Sequence, residues 1–409
     1  MKIRILTNCY PPEIGAAANQ LYELAQALTA KGHIVSVVTR FPRHLPIENV
    51  PKNNGRWLIE ECRPEAMVTR VNIPLLSRKV PLMRELEHLL NILFLAIASL
   101  SGDPPEVTLV YSPPIVVGYA ALFARLFNNS KIVLNVQDLF PQSLIDLGLL
   151  KNRFLIMVSR WLEKLLYRRV NHLTVMSKTN QQIVAETAGN SDKVTVVYNW
   201  VDTDYIRPGE RDNEIRKEFG LEGKFVLTFA GCIADSQDMD IILNTAKKLV
   251  GEKDLLFLIA GNGPKFTYTE RKIREQALDN VMIVPILPRD RYVKLLAASD
   301  VALVTLSPRV TTPVVPSKML SIMSAARPII ASLPLSGDAP GFIRESGCGL
   351  VVPAGDNEGF LAAVKKLQAD PGLRKKMGAE GRKTVVEKYS LQAAARVYEA
   401  IFKKVIAHG

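Results

Sequence analysis

Residues 300–331 constrain the fold more than any other stretch of this chain. Asp300–Leu306 (DVALVTL) is a short apolar run rich in β-branched residues, so it reads as a buried strand. A loop with three prolines follows, and the chain turns helical at Pro316-Ser317. Met319, Leu320, Ile322, Met323 and Ala326 then recur at helical spacing. Arg327-Pro328 ends that helix, and Pro328–Ala331 begins the next strand. Strand, helix, strand with short joints demands a parallel sheet, because two parallel strands need a crossover. Ser317 is placed to cap the helix. Free amides, the positive dipole end and Lys318 together favour a phosphate or diphosphate at Pro316–Lys318. A capped helix in any α/β protein accounts for the same residues.

The pattern recurs at the amino terminus. Lys2–Thr7 is a strand, Asn8–Gly15 a loop, and Ala16–Lys31 a helix with Leu21, Leu24, Ala25 and Leu28 on one face. Gly32 closes it, and His33–Thr39 is the next strand. No GxGxxG is present, only Gly15 followed by alanines, so the usual dinucleotide fingerprint is missing. Small residues at Gly15 and Ala16 still let a ligand approach the helix amides. Further strands are predicted at 67–72, 106–111, 131–136, 172–176 and 194–198. After a charged linker at about 203–224, others follow at 225–230, 255–260, 281–284, 300–306, 328–332 and 349–352. At 409 residues the chain exceeds one ordinary core. Two parallel-sheet domains are expected, 1–205 and 206–390, with an amphipathic helix near 391–409.

Net charge is +12 and the pI about 9.4, which argues for an anionic partner: nucleic acid, an anionic membrane face or a phosphorylated substrate. The four cysteines form no CxxC pair, so no metal site and no disulfide framework is expected. The first residues read as a strand rather than a signal peptide, and no apolar run reaches transmembrane length. Two helical stretches stand out. Residues 82–100 are almost wholly apolar from Leu89 to Ala98. Residues 152–170 place Phe154, Leu155, Met157, Val158, Trp161, Leu162, Leu165 and Leu166 away from Arg160, Lys164 and Arg168. A basic amphipathic helix with tryptophan suits a membrane surface, and Arg78 and Lys79 add to the charge. An ordinary domain helix with a solvated charged face is the other reading.

Polar residues at the C-terminal ends of strands are the natural ligand contacts of an open α/β sheet. Gln137 and Asp138 follow the 131–136 strand and are candidates for chemistry; Asp138 could equally cap a helix or form a turn. Asn262-Gly263, within IAGNGP, closes the 255–260 strand where small residues permit close backbone approach.

PSKMLSIMSAARPIIA resembles the C-terminal signature of the retaining, nucleotide-sugar-dependent glycosyltransferases of the GT-B fold (family four). YPPEIGAAANQLYELAQALTAKGHIVSVVT, VQDLFP, NWVD, FAGCIADSQDMDIIL and PAGD resemble other parts of that family. The resemblance implies two Rossmann-like domains facing a cleft, with the C-terminal helix packed back on the first. It implies a nucleotide-sugar donor, most simply a UDP-sugar. The implied donor contacts are Gly15, Ala16, Gly231, Gln237, Asn262, Gly263, Arg309, Pro316, Ser317 and Ser321. The implied reacting-centre groups are Asp138, Gln137 and Lys318. It also implies no cofactor or metal, no nucleic acid, and a polyprenyl-diphosphate-linked saccharide acceptor at the cytoplasmic membrane face. Several positions depart from the family pattern. Ser321 stands where a ribose-binding glutamate is usual, Pro313 falls near the other glutamate, and Ala326 replaces a glycine. Cys232 and Gln237 or Asp238 replace an arginine and a lysine, leaving Lys318 and Arg309 as the nearest cations. A nucleotide-sugar 2-epimerase, or a non-catalytic nucleotide-sugar-binding protein, fits the same pattern.

Overall fold

The structure, a computed structural model, describes residues 1–13, 15–42, 56–72, 81–310 and 316–407, with side chains of the 81–98 helix described from Leu89 onward. It divides into two compact units. The first comprises Met1–Ile145, Leu150–Asn199 and Leu391–Gly409; the second comprises Asp146–Leu149 and Trp200–Ser390.

The first unit holds an eight-stranded sheet built from β1 (Lys2–Leu6), β2 (Ile34–Arg40), β3 (Leu58–Cys62), β4 (Met67–Val71), β5 (Val107–Ser112), β6 (Lys131–Val136), β7 (His172–Val175) and β8 (Val194–Val196). Their order is β3-β4-β2-β1-β5-β6-β7-β8. All pairs are parallel except β3 with β4. The antiparallel β3 was not expected from the pattern. Only Arg63–Ala66 separates it from β4, a hairpin-sized joint too short for a parallel crossover. Its alternation of half-buried and exposed residues suits an edge strand. Central strands such as β6 (KIVLNV) are buried along nearly their whole length, because helices cover both faces.

Helix Ala16–Ala30 buries Leu21, Leu24, Ala25 and Leu28, the face its spacing predicts. Each such leucine contributes about 1.5–3 kcal/mol by leaving water. Helix Val116–Asn128 packs on helix Arg153–Arg169 through Gly118; a Cβ there would meet Leu166 Cδ2 at 2.6 Å. Helix Leu391–Ala407 buries Ala395, Tyr398 and Phe402 within this unit.

The second unit holds a six-stranded parallel sheet. Its strands are β9 (Phe225–Cys232), β10 (Leu255–Asn262), β11 (Val281–Val284), β12 (Val301–Thr305), β13 (Ile329–Leu333) and β14 (Gly349–Pro353). The order is β11-β10-β9-β12-β13-β14. The predicted linker is more ordered than its composition suggests. Glu214–Glu218 forms a short helix capped by Asn213, whose side chain accepts from Ile215 N, and it buries Ile215 and Arg216. Arg216 is buried because Asp300 accepts from it at 2.8 Å, alongside Arg211 at 2.7 Å. Among the described residues no helix is long and apolar enough to cross a membrane.

Candidate functional site

In the second unit the strand order reverses between β9 and β12. Loops leaving the C-terminal ends of strands at such a switch point are where an open sheet admits ligand. Gly231 stands at the end of β9 with φ +146, and a Cβ there would lie 3.2 Å from Lys318 Nζ. Lys318 donates to Gln237 Oε1 at 3.0 Å, and its ammonium sits 3.8 Å from the centroid of the Phe229 ring. Burial pushes the lysine down to about 7. The face of Phe229 opposes that shift by favouring the cation. Gly231, Gln237 and Lys318 thus share one place. They hold a partly desolvated amine whose direct partner is a neutral amide.

Other sequence candidates behave differently. Arg309 points to Asp235, with Nη2 at 3.6 Å, and Lys265 reaches the same carboxylate at 3.1 Å. Arg309 is more than half exposed, so this pair is weak, and it does not reinforce Lys318. Asp238 caps helix Met239–Lys248 by accepting from Ile241 N at 3.1 Å. The turn at Asn262-Gly263 is approached by the chain's own backbone. A Cβ on Gly263 would lie 2.4 Å from Ile233 O, and one on Gly261 would lie 2.0 Å from Gly231 O. Ile233 N donates to Asn262 O at 2.8 Å, and Lys265 N donates to Ile233 O at 2.9 Å. The small residues there fix the loop that carries Gly231.

The helix after Pro316 corrects one expectation. Ser317 has helical φ and ψ, and its side chain caps no amide. The buried Pro316 already starts the turn, its carbonyl accepting from Met319 N at 3.1 Å. Ser321 is hydrogen-bonded to Tyr292, whose hydroxyl burial pushes up to about 12. Sequence reading missed Tyr292 and Phe229 because both look like ordinary core residues of a helix and a strand. Pro313, Arg78 and Lys79 lie outside the described residues.

In the first unit the order reverses between β1 and β5. The loop after β1 is braced by arginine. Arg63 Nη1 donates to Pro11 O at 3.1 Å, and the fully buried Arg70 donates to the same carbonyl and to Glu61 at 2.7 Å. Tyr10 OH donates to Glu65 at 3.2 Å. Above this support, none of the described residues beyond its chain neighbours stands within 4 Å of where a Gly15 Cβ would be, and Ala16 is exposed. Among the described residues no side chain caps the amide end of helix Ala16–Ala30, and its first turn carries no acidic side chain.

Gln137 and Asp138 part company. Gln137 is buried, and its Nε2 donates to Asn135 Oδ1 at 2.7 Å and Asn199 Oδ1 at 3.1 Å. Asn199 Nδ2 returns a bond to Gln137 Oε1 at 3.0 Å, and Asn135 donates to Tyr398 OH. The Gln137 amide is occupied on both ends by buried asparagines. Asp138 is exposed and accepts no hydrogen bond from a described residue, so it does not act as a helix cap. Neighbouring protein desolvates one side of its carboxyl and raises it above the usual carboxylate range. Burial, then the Asp138 charge, also drives the Tyr111 hydroxyl up.

Helix Arg153–Arg169 buries Leu166 and Tyr167 in the core and leaves the earlier part of its apolar row outside. Phe154, Met157 and Trp161 are each at least 60% exposed, and Leu155 is half exposed. Arg160, Lys164 and Arg168 are exposed beside them. Helix Pro81–Ala98 likewise buries one face, with Leu95, Ala96 and Ala98 fully covered, and leaves Leu89, Leu93 and Ile97 exposed. Among the described residues, no three His, Cys, Asp or Glu side chains come together as a metal-ligand set.

Residues 17–205 match the family described as Glycosyltransferase Family 4, and residues 211–384 match Glycosyl transferases group 1. WcaI of Escherichia coli strain K12, by name a colanic acid biosynthesis glycosyl transferase, is 24% identical over 79% of this chain and 81% of its own. Sucrose-phosphate synthase of Thermosynechococcus elongatus superposes with TM-score 0.78 at 15% identity, covering all of both chains. Anabaena HepE, solved with UDP-glucose, superposes with TM-score 0.72 at 12% identity over 98% of this chain and 99% of its own. These likenesses show a GT-B fold.

Proposed function

Because the chain belongs to the glycosyltransferases that join a family 4 amino-terminal domain to a group 1 domain, we propose that it transfers a sugar from a nucleotide-diphosphate donor to a saccharide hydroxyl with retention. The observation that carries this reading is Lys318 lodged against Gly231 and Gln237 at the switch point of the second sheet. A diphosphate arriving there meets an amine held near neutrality. The anion restores its charge, and the contact strengthens as the glycosyl–oxygen bond breaks and charge gathers on the leaving phosphate. That phosphate oxygen takes the acceptor hydroxyl's proton while the new bond forms on the same face of the sugar. The proposed reaction needs no metal or cofactor, since Lys318 and backbone amides supply the counter-charge. Asp138, exposed and without a hydrogen-bond partner among the described residues, is proposed as the polar contact to the reacting sugars. UDP is the favoured nucleotide, as in the HepE complex.

The proposed acceptor is a polyprenyl-diphosphate-linked saccharide, reached by peripheral attachment to the cytoplasmic membrane face. Exposed Phe154, Met157 and Trp161 beside Arg160 and Lys164 support that attachment, as a tryptophan-bearing basic helix suits an anionic interface. The name of WcaI supports a place in cell-surface polysaccharide synthesis. Purified protein should be offered a panel of UDP- and GDP-sugars. A thermal shift with one donor should be followed by an anomerically retained product on a lipid-linked acceptor. Release of an epimerised nucleotide-sugar without acceptor would establish 2-epimerisation instead, and tight donor binding without turnover a binding protein.

A further inference from the structure

At the opposite end of the second sheet, before β12 and β13 begin, lies a cavity of about 320 Å³. Its lining includes Asp300, Ala326, Arg327, Arg374, Lys375 and Ala379. The charge balance is strongly positive. Asp300 is the lining's one carboxylate, and it is already engaged by Arg211 at 2.7 Å, Arg216 at 2.8 Å and Val226 N at 2.8 Å. Its charge also acts on Arg327, so one carboxylate is shared among more cations than it can balance. Arg327 donates through Nη2 to Gly209 O at 3.2 Å, while its Nε is buried without a partner among the described residues.

The other two cations come from helix Pro371–Lys388. Arg374 is locked by donating to the Leu367 and Gln368 carbonyls, with its guanidinium 5.0 Å from the centroid of the Phe225 ring. Lys375 is exposed at the rim and has no ionic partner among the described residues. The helix can approach this closely because Gly378 has no side chain; a Cβ there would lie 2.2 Å from Ala326 O. The volume exceeds what a bare phosphate fills and is in the range of small-molecule pockets.

We propose that this cavity binds a phosphate monoester of a small metabolite, the dianion lying between Arg327, Arg374 and Lys375. Guanidinium forks and an ammonium at a half-enclosed site are the groups that hold such a dianion by charge-assisted bonds. The site is separate from the Lys318 place. Helix Lys318–Ser324 lies between the two and spans about 10 Å at 1.5 Å per residue.

The test is titration calorimetry of the full chain with inorganic phosphate and with glucose 6-phosphate at matched ionic strength. Wild type should bind the ester saturably. Lys375→Glu, at an exposed position where folding is not at risk, should weaken binding by roughly tenfold or more. Arg327→Gln should weaken it likewise, and Lys318→Met should leave it unchanged. Tighter binding of the ester than of inorganic phosphate identifies a phosphorylated metabolite; equal binding identifies free phosphate in the same site. The proposal is overturned by equal affinity in Lys375→Glu and wild type, by loss of binding in Lys318→Met, or by no binding up to about 10 mM. None of these outcomes depends on donor turnover.

Discussion

Lys318 reaches Gln237 across 81 positions of sequence, Nζ to Oε1 at 3.0 Å, in space that Gly231 leaves free. An amine so desolvated destabilises the fold while it carries its charge. Its value of about 7 in the folded chain lies below the ordinary lysine value of about 10.4. Between those values the unfolded chain binds more protons than the folded one. Stability should therefore rise with pH from about 7 to about 10 on account of this group. The desolvation cost is fully present below that window and absent above it.

Lys318→Met should accordingly melt no lower than wild type at pH 7, and its melting point should lose part of the rise with pH. Its kcat/KM should drop by about 2–4 kcal/mol of transition-state stabilisation. Thermal melts from pH 6 to 10 and steady-state rates on one preparation check both halves. Unchanged kcat/KM would remove Lys318 from the reaction.

Neighbours Gln137 and Asp138 should separate cleanly. Asp138→Asn should keep stability within about 0.5 kcal/mol, as at other surface positions, and lose rate by ~10²-fold or more if the carboxyl assists proton transfer. Gln137→Ala should do the reverse in stability, costing about 1–3 kcal/mol, because it strands the buried Asn135 and Asn199 amides. Urea midpoints paired with kcat/KM decide this. Full activity in Asp138→Asn would make it a spectator.

The exposed row on helix Arg153–Arg169 predicts vesicle binding. Replacing Arg160, Lys164 and Arg168 by glutamine should weaken attachment to anionic vesicles by about 1 kcal/mol per charge, and added salt should weaken the wild type. Trp161→Ser should weaken it further by removing an interfacial anchor that is 62% exposed. Equal sedimentation of all variants with vesicles would mean that this face binds no membrane.

Asp300 holds a buried charge cluster. Arg216 is 1% exposed, so Asp300→Ala leaves it uncompensated in the interior and should cost about 3–5 kcal/mol. Denaturant unfolding measures this directly. A loss below about 1 kcal/mol would show that backbone carbonyls alone suffice for Arg216.

Much of the architecture was legible in the sequence. Apolar runs such as VALVT and KIVLNV announce strands buried on both faces, and the Leu21–Leu28 spacing announces its helix. Alternation of the two forces parallel sheets, because short joints leave no other way to connect them. The residues around Gly15, Pro316 and Asn199 were equally visible as motifs. These signals are local, set by side-chain periodicity and turn chemistry within a few residues.

What the tertiary structure decided is which way each polar group faces and what it meets. Gln137 turns inward because Asn199, 62 positions away, exchanges hydrogen bonds with it, and Asn135 is held by Tyr398, 263 positions away. The Asn262-Gly263 turn serves its neighbouring loop because the Ile233 carbonyl fills the space a side chain would need. Ser317 loses its cap because the helical turn has already begun at Pro316. Periodicity fixes where the chain is apolar. Hydrogen-bond partners and desolvation come from residues far apart in sequence, so the surroundings of Lys318, Gln137 and Asp138 are set only once the strands have packed.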